Sequence, residues 1–211
     1  MQLDPEADEP PSLYDAVGGK LGIAESTLPF IAFTAVWGLS GRNVLAGGLV
    51  AVGITLVLAL ARIRKRQTLQ FAFSGVIGVA FGAFVAARTG NAEDFFLPGI
   101  LINAASASAY LISIAVRRPL LGLIVSTLTG EGRSWYEDPV RRRAYTRASW
   151  IWVALFSFRL SIQVPLYLSG SVGILAVAKV VTGVPLFALG LWVSYLMLKP
   201  IIGPMGERAS A

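Results

Sequence analysis

The stretch SFRLSIQVPLYLSGSVGILAVAKVVTGVPLF, residues 157–187, decides the fold. It is apolar almost throughout apart from Arg159, Gln163 and Lys179. Apolar runs of ~18 or more residues read as membrane-spanning helices, because ~20 residues rising 1.5 Å each cross the hydrocarbon. The tight turn LSGSVG at its middle makes the two halves antiparallel neighbours. Counting from Gly170, Arg159 lies 11 residues back and Lys179 nine forward, so both are expected about 15 Å deep, at one level near the middle of the bilayer. Gln163, four residues after Arg159, shares its face.

The rest of the chain extends this reading. Of 211 residues, 55% are apolar and 14% charged, and the mean hydropathy is +0.67, outside the range of ordinary soluble domains. Five further-reaching apolar runs are clear: Val44 to Ala61, Leu69 to Ala87, Phe95 to Val116, Ser149 to Leu168 and Val172 to Leu198. A sixth, Thr27 to Ser40, is short and can borrow the apolar flank Leu21 to Ala24. The expected fold is all-α, a polytopic bundle of about six transmembrane helices over residues 27–198, with a short interfacial helix.

Outside the bundle, residues 1–11 are acidic and proline-broken and are expected to be disordered. Residues 12–26 read as an interfacial segment, with Leu13, Tyr14 and Val17 on one side and Gly18 and Gly19 ending it. LLGLIVSTL, after Arg118 and Pro119, is too short to span and reads as an interfacial or re-entrant helix within a basic loop, 117–148. Residues 199–211 form a tail. The acidic start lacks the positive region of a secretory leader, so the first helix is expected to remain in the mature chain.

Charge sets the expected sidedness. RIRKRQ (62–67) holds four positive charges and the segment 117–147 seven, whereas SGRN (40–43), RTGNAED (88–94) and LSGSVG (168–173) hold one, one and none. Both basic loops and both termini are therefore expected in the cytoplasm. The net charge of +6 then describes a surface facing anionic headgroups and is no sign of nucleic acid. Arg117, Arg118, Arg141, Arg142 and Arg143 are candidates for docking lipid phosphates or a protein partner.

The chain has no Cys and no His, which removes Cys and His metal sites and nucleophile–base pairs. No serine stands in a G-x-S-x-G or S-x-x-K context with a partner. Neither an enzyme nor a cofactor nor a metal is expected. Gly78 and Gly82 form a small-xxx-small pair, and the run Asn103 to Ala109 is small throughout, so these two helices are expected to pack on each other or on a second subunit.

All twelve acids lie outside the expected spans or at their ends. A charge at a helix centre costs ~2.5–3.5 kcal/mol on insertion scales, so something must offset Arg159 and Lys179. The candidates are water in a cavity, an anion such as a lipid headgroup, or the amides of Gln163 and Asn103 with the carbonyls of Ser161 and Val181, which Pro165 and Pro185 deprive of their helical donors. Arg159, Gln163, Lys179 and Asn103 are the candidate anion site. Prolines and polar groups at mid-membrane also mark transporter sites, although the two halves of the chain show no convincing repeat.

The order of these features resembles a known family. GGKLGIAESTLPFIAF, RIRKR, AYLISIAVRRPLLGLIVSTLTGEG, DPVRRRAYTRASWIWVALFSFRLSIQVPLYL and AVAKVVTGVPLFALGLW, spread over about residues 18–198, are similar to the intracellular septation protein A family and, more closely, to its actinobacterial relatives of unknown function. The usage of 14 Arg to 4 Lys agrees with such a source. The resemblance implies a bacterial inner-membrane protein of cell-envelope maintenance acting through lipids or other membrane proteins. Lys179 and the amide of Gln163 look like positions that family shares. Arg159 departs from the septation protein's pattern.

Overall fold

The computed structural model describes residues 19–64, 69–129 and 134–202. Among them the secondary structure is helical: α1 (Gly19–Leu39), α2 (Val44–Arg64), α3 (Leu69–Thr89), a 3-10 turn (Ala92–Phe95), α4 (Leu97–Ala115), α5 (Leu120–Thr129), a second 3-10 turn (Ser134–Tyr136), α6 (Pro139–Leu168), α7 (Val172–Val181) and α8 (Val184–Ile202). Five stretches are long and apolar enough to cross a membrane: Leu21–Leu39, Val44–Arg64, Leu97–Ala115, Pro139–Leu168 and Val172–Ile201. The chain is thus a multi-pass membrane protein. The expected run Leu69 to Ala87 is α3, a 21-residue helix from Leu69 to Thr89, and the sixth expected run, Thr27 to Ser40, falls on α1.

Two helices start earlier than hydropathy places them. α1 is continuous from Gly19, so residues 19–26, expected as part of an interfacial segment, belong to the first membrane helix and carry Glu25 into it. α6 begins at Pro139, not at Ser149. Asp138 accepts from the Val140 and Arg141 amides at 2.8 and 3.4 Å, and Pro139 occupies the first turn, where its missing N–H costs nothing. Arg141, Arg142, Arg143 and Arg147 therefore stand on a helix and not in a loop. The short interfacial helix expected over residues 12–18, and most of both terminal segments, lie outside the described residues.

Helices α1, α2 and α3 pack side by side as an up-and-down set, with α2 between its neighbours. α4 and α6 form the second packed pair, with α8 against α6, α5 across α4 and α6, and α7 against both α6 and α1. Two apolar cores result. One joins Phe33, Ala51, Val79, Phe95, Phe96, Val172 and Leu175, where the Phe33 and Phe95 rings stack at 3.9 Å. The other joins Ala107, Tyr110, Trp135, Tyr145, Ala148, Trp152, Phe156 and Leu198, with Tyr110 parallel to Trp152 at 6.0 Å. Large apolar side chains outside these cores, among them Leu49, Val57, Ile77, Phe81 and Phe84, are exposed, as a lipid-facing surface requires and a water-facing one avoids.

Within one chain, only Gly82 of the expected glycine pair makes a close approach. A Cβ at Gly82 would lie 2.5 Å from the Phe95 carbonyl oxygen, whereas one at Gly78 meets nothing within 4 Å. Gly82 thus admits the turn that leads into α4, and Gly78 admits no neighbour. The small run on α4 packs on α6 instead, through Asn103 and Ala107.

Candidate functional site: a polar seam between two apolar cores

Three chain segments bring polar groups to one level. On α4 Asn103 lies between Phe96 of the first core and Ala107 of the second. On α6 Gln163 lies between Phe156 and Leu166, and on the α7–α8 segment Thr182 lies between Ala176 and Leu186. Asn103 Nδ2 donates to Gln163 Oε1 at 3.4 Å, Gln163 Nε2 to Thr182 Oγ1 at 3.3 Å, and Thr182 Oγ1 to the Ala178 carbonyl at 2.7 Å. All three side chains are buried, at 8%, 3% and 6% exposure. Each amide satisfies the next, so the seam tolerates an apolar setting in which unpaired polar groups are costly.

The seam sits where the last membrane segment breaks. α7 stops at Val181 and α8 starts at Val184. Pro185 has no N–H for the Val181 carbonyl and disfavours helix at Val184. Gly183 bonds back to Val180 at 3.2 Å, a tighter turn than α. A Cβ at Gly183 would lie 2.7 Å from the Lys179 carbonyl oxygen, so a larger residue would push the turn apart.

The two cations take up positions on either side of this seam. Arg159 Nη2 donates to the Gly183 carbonyl at 2.5 Å, and its guanidinium lies 6.0 Å from the Phe156 ring centre. That carbonyl also accepts from the Phe187 amide at 3.1 Å. Arg159 Nε is buried without a hydrogen-bond partner. Lys179 Nζ stands 4.0 Å from the Phe30 ring centre of α1 and 5.9 Å from that of Phe96, in space that Gly99 of α4 leaves open by lacking a Cβ. Among the described residues Lys179 has neither a hydrogen-bond nor an ion-pair partner.

These contacts revise the expected site. With Gln163 opposite Thr182, Arg159 is displaced one turn to one side and Lys179 nearly one turn to the other, so the two are staggered by about 10 Å along the axis rather than level. Gln163 and Asn103 bond each other and Thr182, not the cations. The carbonyl that meets Arg159 belongs to Gly183 and not to Ser161 or Val181. Pro165 is accommodated within an unbroken α6.

At the basic end the candidate residues serve separate purposes. Arg117 takes the left-handed conformation, φ 57°, that turns the chain between α4 and α5. Arg118 stacks on the Tyr136 ring at 5.7 Å and donates to its hydroxyl at 3.4 Å. Arg141 pairs with Asp138 at 3.7 Å. Arg142 is half-buried, with its carbonyl accepting from Thr146 at 2.8 Å. Arg143 is exposed and lines a groove with Arg147.

Sequence reasoning missed two charged contacts. Arg62 of α2 makes a bidentate pair with Glu25 of α1, both bonds 2.8 Å long, with 5% and 14% of the side chains exposed. Tyr167 at the far end of α6 donates to Asp94 at 2.5 Å. Among the described residues no group of His, Cys, Asp and Glu could hold a metal ion.

The family model described as "Protein of unknown function (DUF3159)" matches residues 17–203. The chain belongs to that family. The match takes in the seam, both cations and the basic end, so this centre lies inside the DUF3159 region rather than in an appended segment. No curated protein matches the chain, and no solved structure does.

Proposed function

We propose that this DUF3159 protein is a non-enzymatic component of the bacterial inner membrane that serves the cell envelope by binding anionic lipid, alone or together with other membrane proteins. Six spans with both termini and the basic end in the cytoplasm complete the reading, on the charge asymmetry of the loops. The envelope role rests on the resemblance to the septation protein A family. The observation that carries lipid binding is the pair of cations beside the seam: among the described residues Lys179 is met by aromatic faces without a hydrogen-bond or ion-pair partner, and Arg159 keeps a buried, unpartnered Nε–H. Aromatic faces offset ~0.5–2 kcal/mol of a cation's cost, less than the insertion penalty of a mid-membrane charge. An anionic headgroup supplies the remainder.

A second reading, a small transporter or lipid-translocating protein using Arg159, Gln163 and Lys179, is favoured by the α7–α8 break, since interrupted helices line substrate sites at mid-membrane. Native mass spectrometry of protein purified in mild detergent tests the first reading. Wild type is expected to carry a stoichiometric anionic lipid that Arg159→Leu/Lys179→Leu loses while still eluting as a folded species. Equal lipid retention by both would show that carbonyl and rings suffice for the cations. Loss of anion or lipid flux in proteoliposomes by the same variant would move the assignment to transport.

A further inference from the structure

Where the first turns of α6 pass the last turns of α8, Val140, Arg143, Ala144, Arg147, Met197, Pro200 and Ile201 line a groove of about 410 Å³. Arg143 and Arg147 lie four residues apart on one face of α6, both exposed. Neither has an ion-pair partner among the described residues, in contrast to Arg62 and Arg141. The opposite wall, from α8, is apolar. A pocket with two exposed cations on one wall and hydrocarbon on the other is complementary to a molecule with an anionic head and an apolar body.

The groove's place in the bundle supports the same occupant. α4 and α6 are antiparallel, since Asn103 meets Gln163 and Tyr110 meets Trp152. The start of α6 therefore lies beside the end of α4, at Arg117 and Arg118, where a basic bundle end meets the headgroup layer.

The geometry points to this groove as a binding site for one anionic phospholipid of the surrounding bilayer, its phosphate between Arg143 and Arg147 and an acyl chain along Met197 and Ile201. The inference rests on the lipid-binding reading above in placing a bilayer around the bundle, but uses none of Arg159, Gln163 and Lys179. The arginines hold the phosphodiester as charge-assisted hydrogen-bond donors, and the apolar wall excludes an inorganic anion as the preferred ligand.

Titration of delipidated protein with phosphatidylglycerol, read by native mass spectrometry, tests it. Arg143→Gln/Arg147→Gln is expected to weaken roughly 30-fold, about fivefold per charge, one binding event separate from the lipid that Arg159→Leu/Lys179→Leu loses. Val140→Trp keeps both charges and fills the groove from an exposed position, and is expected to abolish the same event. Arg64→Gln/Arg117→Gln, which removes equal charge elsewhere, is expected to leave it within a few-fold, as is Arg159→Leu/Lys179→Leu. Phosphatidylethanolamine and inorganic phosphate are expected not to compete. Equal loss in Arg64→Gln/Arg117→Gln would overturn the inference in favour of a diffuse basic surface, and an unaffected Val140→Trp would show that no groove is filled. Loss only in Arg159→Leu/Lys179→Leu would return the lipid to the intramembrane centre and remove it from the groove.

Discussion

Arg62 and Arg159 are two arginines of one bundle, both withdrawn from solvent, and they are met in opposite ways. Arg62 faces a carboxylate across α1 and α2, with both of its inward donors used. Arg159 faces one backbone carbonyl at a helix break and a phenylalanine ring, and one of its donors is unused. The first charge is neutralised within the protein, and the pair's chief consequence is to fix α1 against α2. The second keeps both its net charge and spare hydrogen-bonding capacity.

The contrast breaks first at Glu25. Glu25→Gln leaves Arg62 buried and uncompensated, and unfolding in bicelles followed by steric trapping is expected to show a loss of ~3–5 kcal/mol, with Glu25→Leu/Arg62→Leu recovering most of it. A single-variant loss under ~1 kcal/mol would mean that water reaches Arg62 freely and that the two arginines are less different than their contacts indicate.

Gly82→Val comes next. Its Cβ would collide with the Phe95 carbonyl, 2.5 Å away, and overpacking of this kind costs ~1–3 kcal/mol. Gly78→Val, with nothing within 4 Å, is expected to be neutral by the same measurement. A reversed order would relocate the close helix approach to Gly78.

The smallest effect sharpens the comparison within the seam. Gln163→Leu strips Asn103 and Thr182 of a neutral partner, and about 1 kcal/mol is expected, well below the loss at Glu25. A value near that of Glu25→Gln would mean that the seam is coupled to Arg159 and not a separate neutral ladder.

The hairpin, its turn and the shared face of Arg159 and Gln163 were legible because period and spacing along one helix need no knowledge of its neighbours. The partners of Lys179 were not, because a residue's rotation about its axis relative to another helix is set by packing. Phe30 and Phe96 come from segments far away in sequence. Two boundaries could have been read. Asp138–Pro139 carries a cap and a first-turn proline ahead of the apolar run, and weighing it above hydropathy would have put Arg141 to Arg147 on α6. Glu25 stands between the short run Thr27 to Ser40 and the flank Leu21 to Ala24 that it can borrow, and since no breaker separates the two, α1 runs through it. Gly78 and Gly82 show the converse: an identical local pattern in which only the fold distinguishes a contact from an open face.

The bond from Arg159 to Gly183 also has a direction in time. Its acceptor lies 24 residues downstream, so a growing chain makes the guanidinium well before anything exists to receive it. α7, at ten residues, cannot cross the hydrocarbon by itself. Insertion of α6 is therefore expected to depend on the segment beyond the break. A chain ending at Val181 is expected to insert α6 less completely than one running past Phe187 in a glycosylation-mapping assay, and equal insertion would show that the guanidinium enters unaided. On that expectation α6, α7 and α8 enter the membrane as one unit.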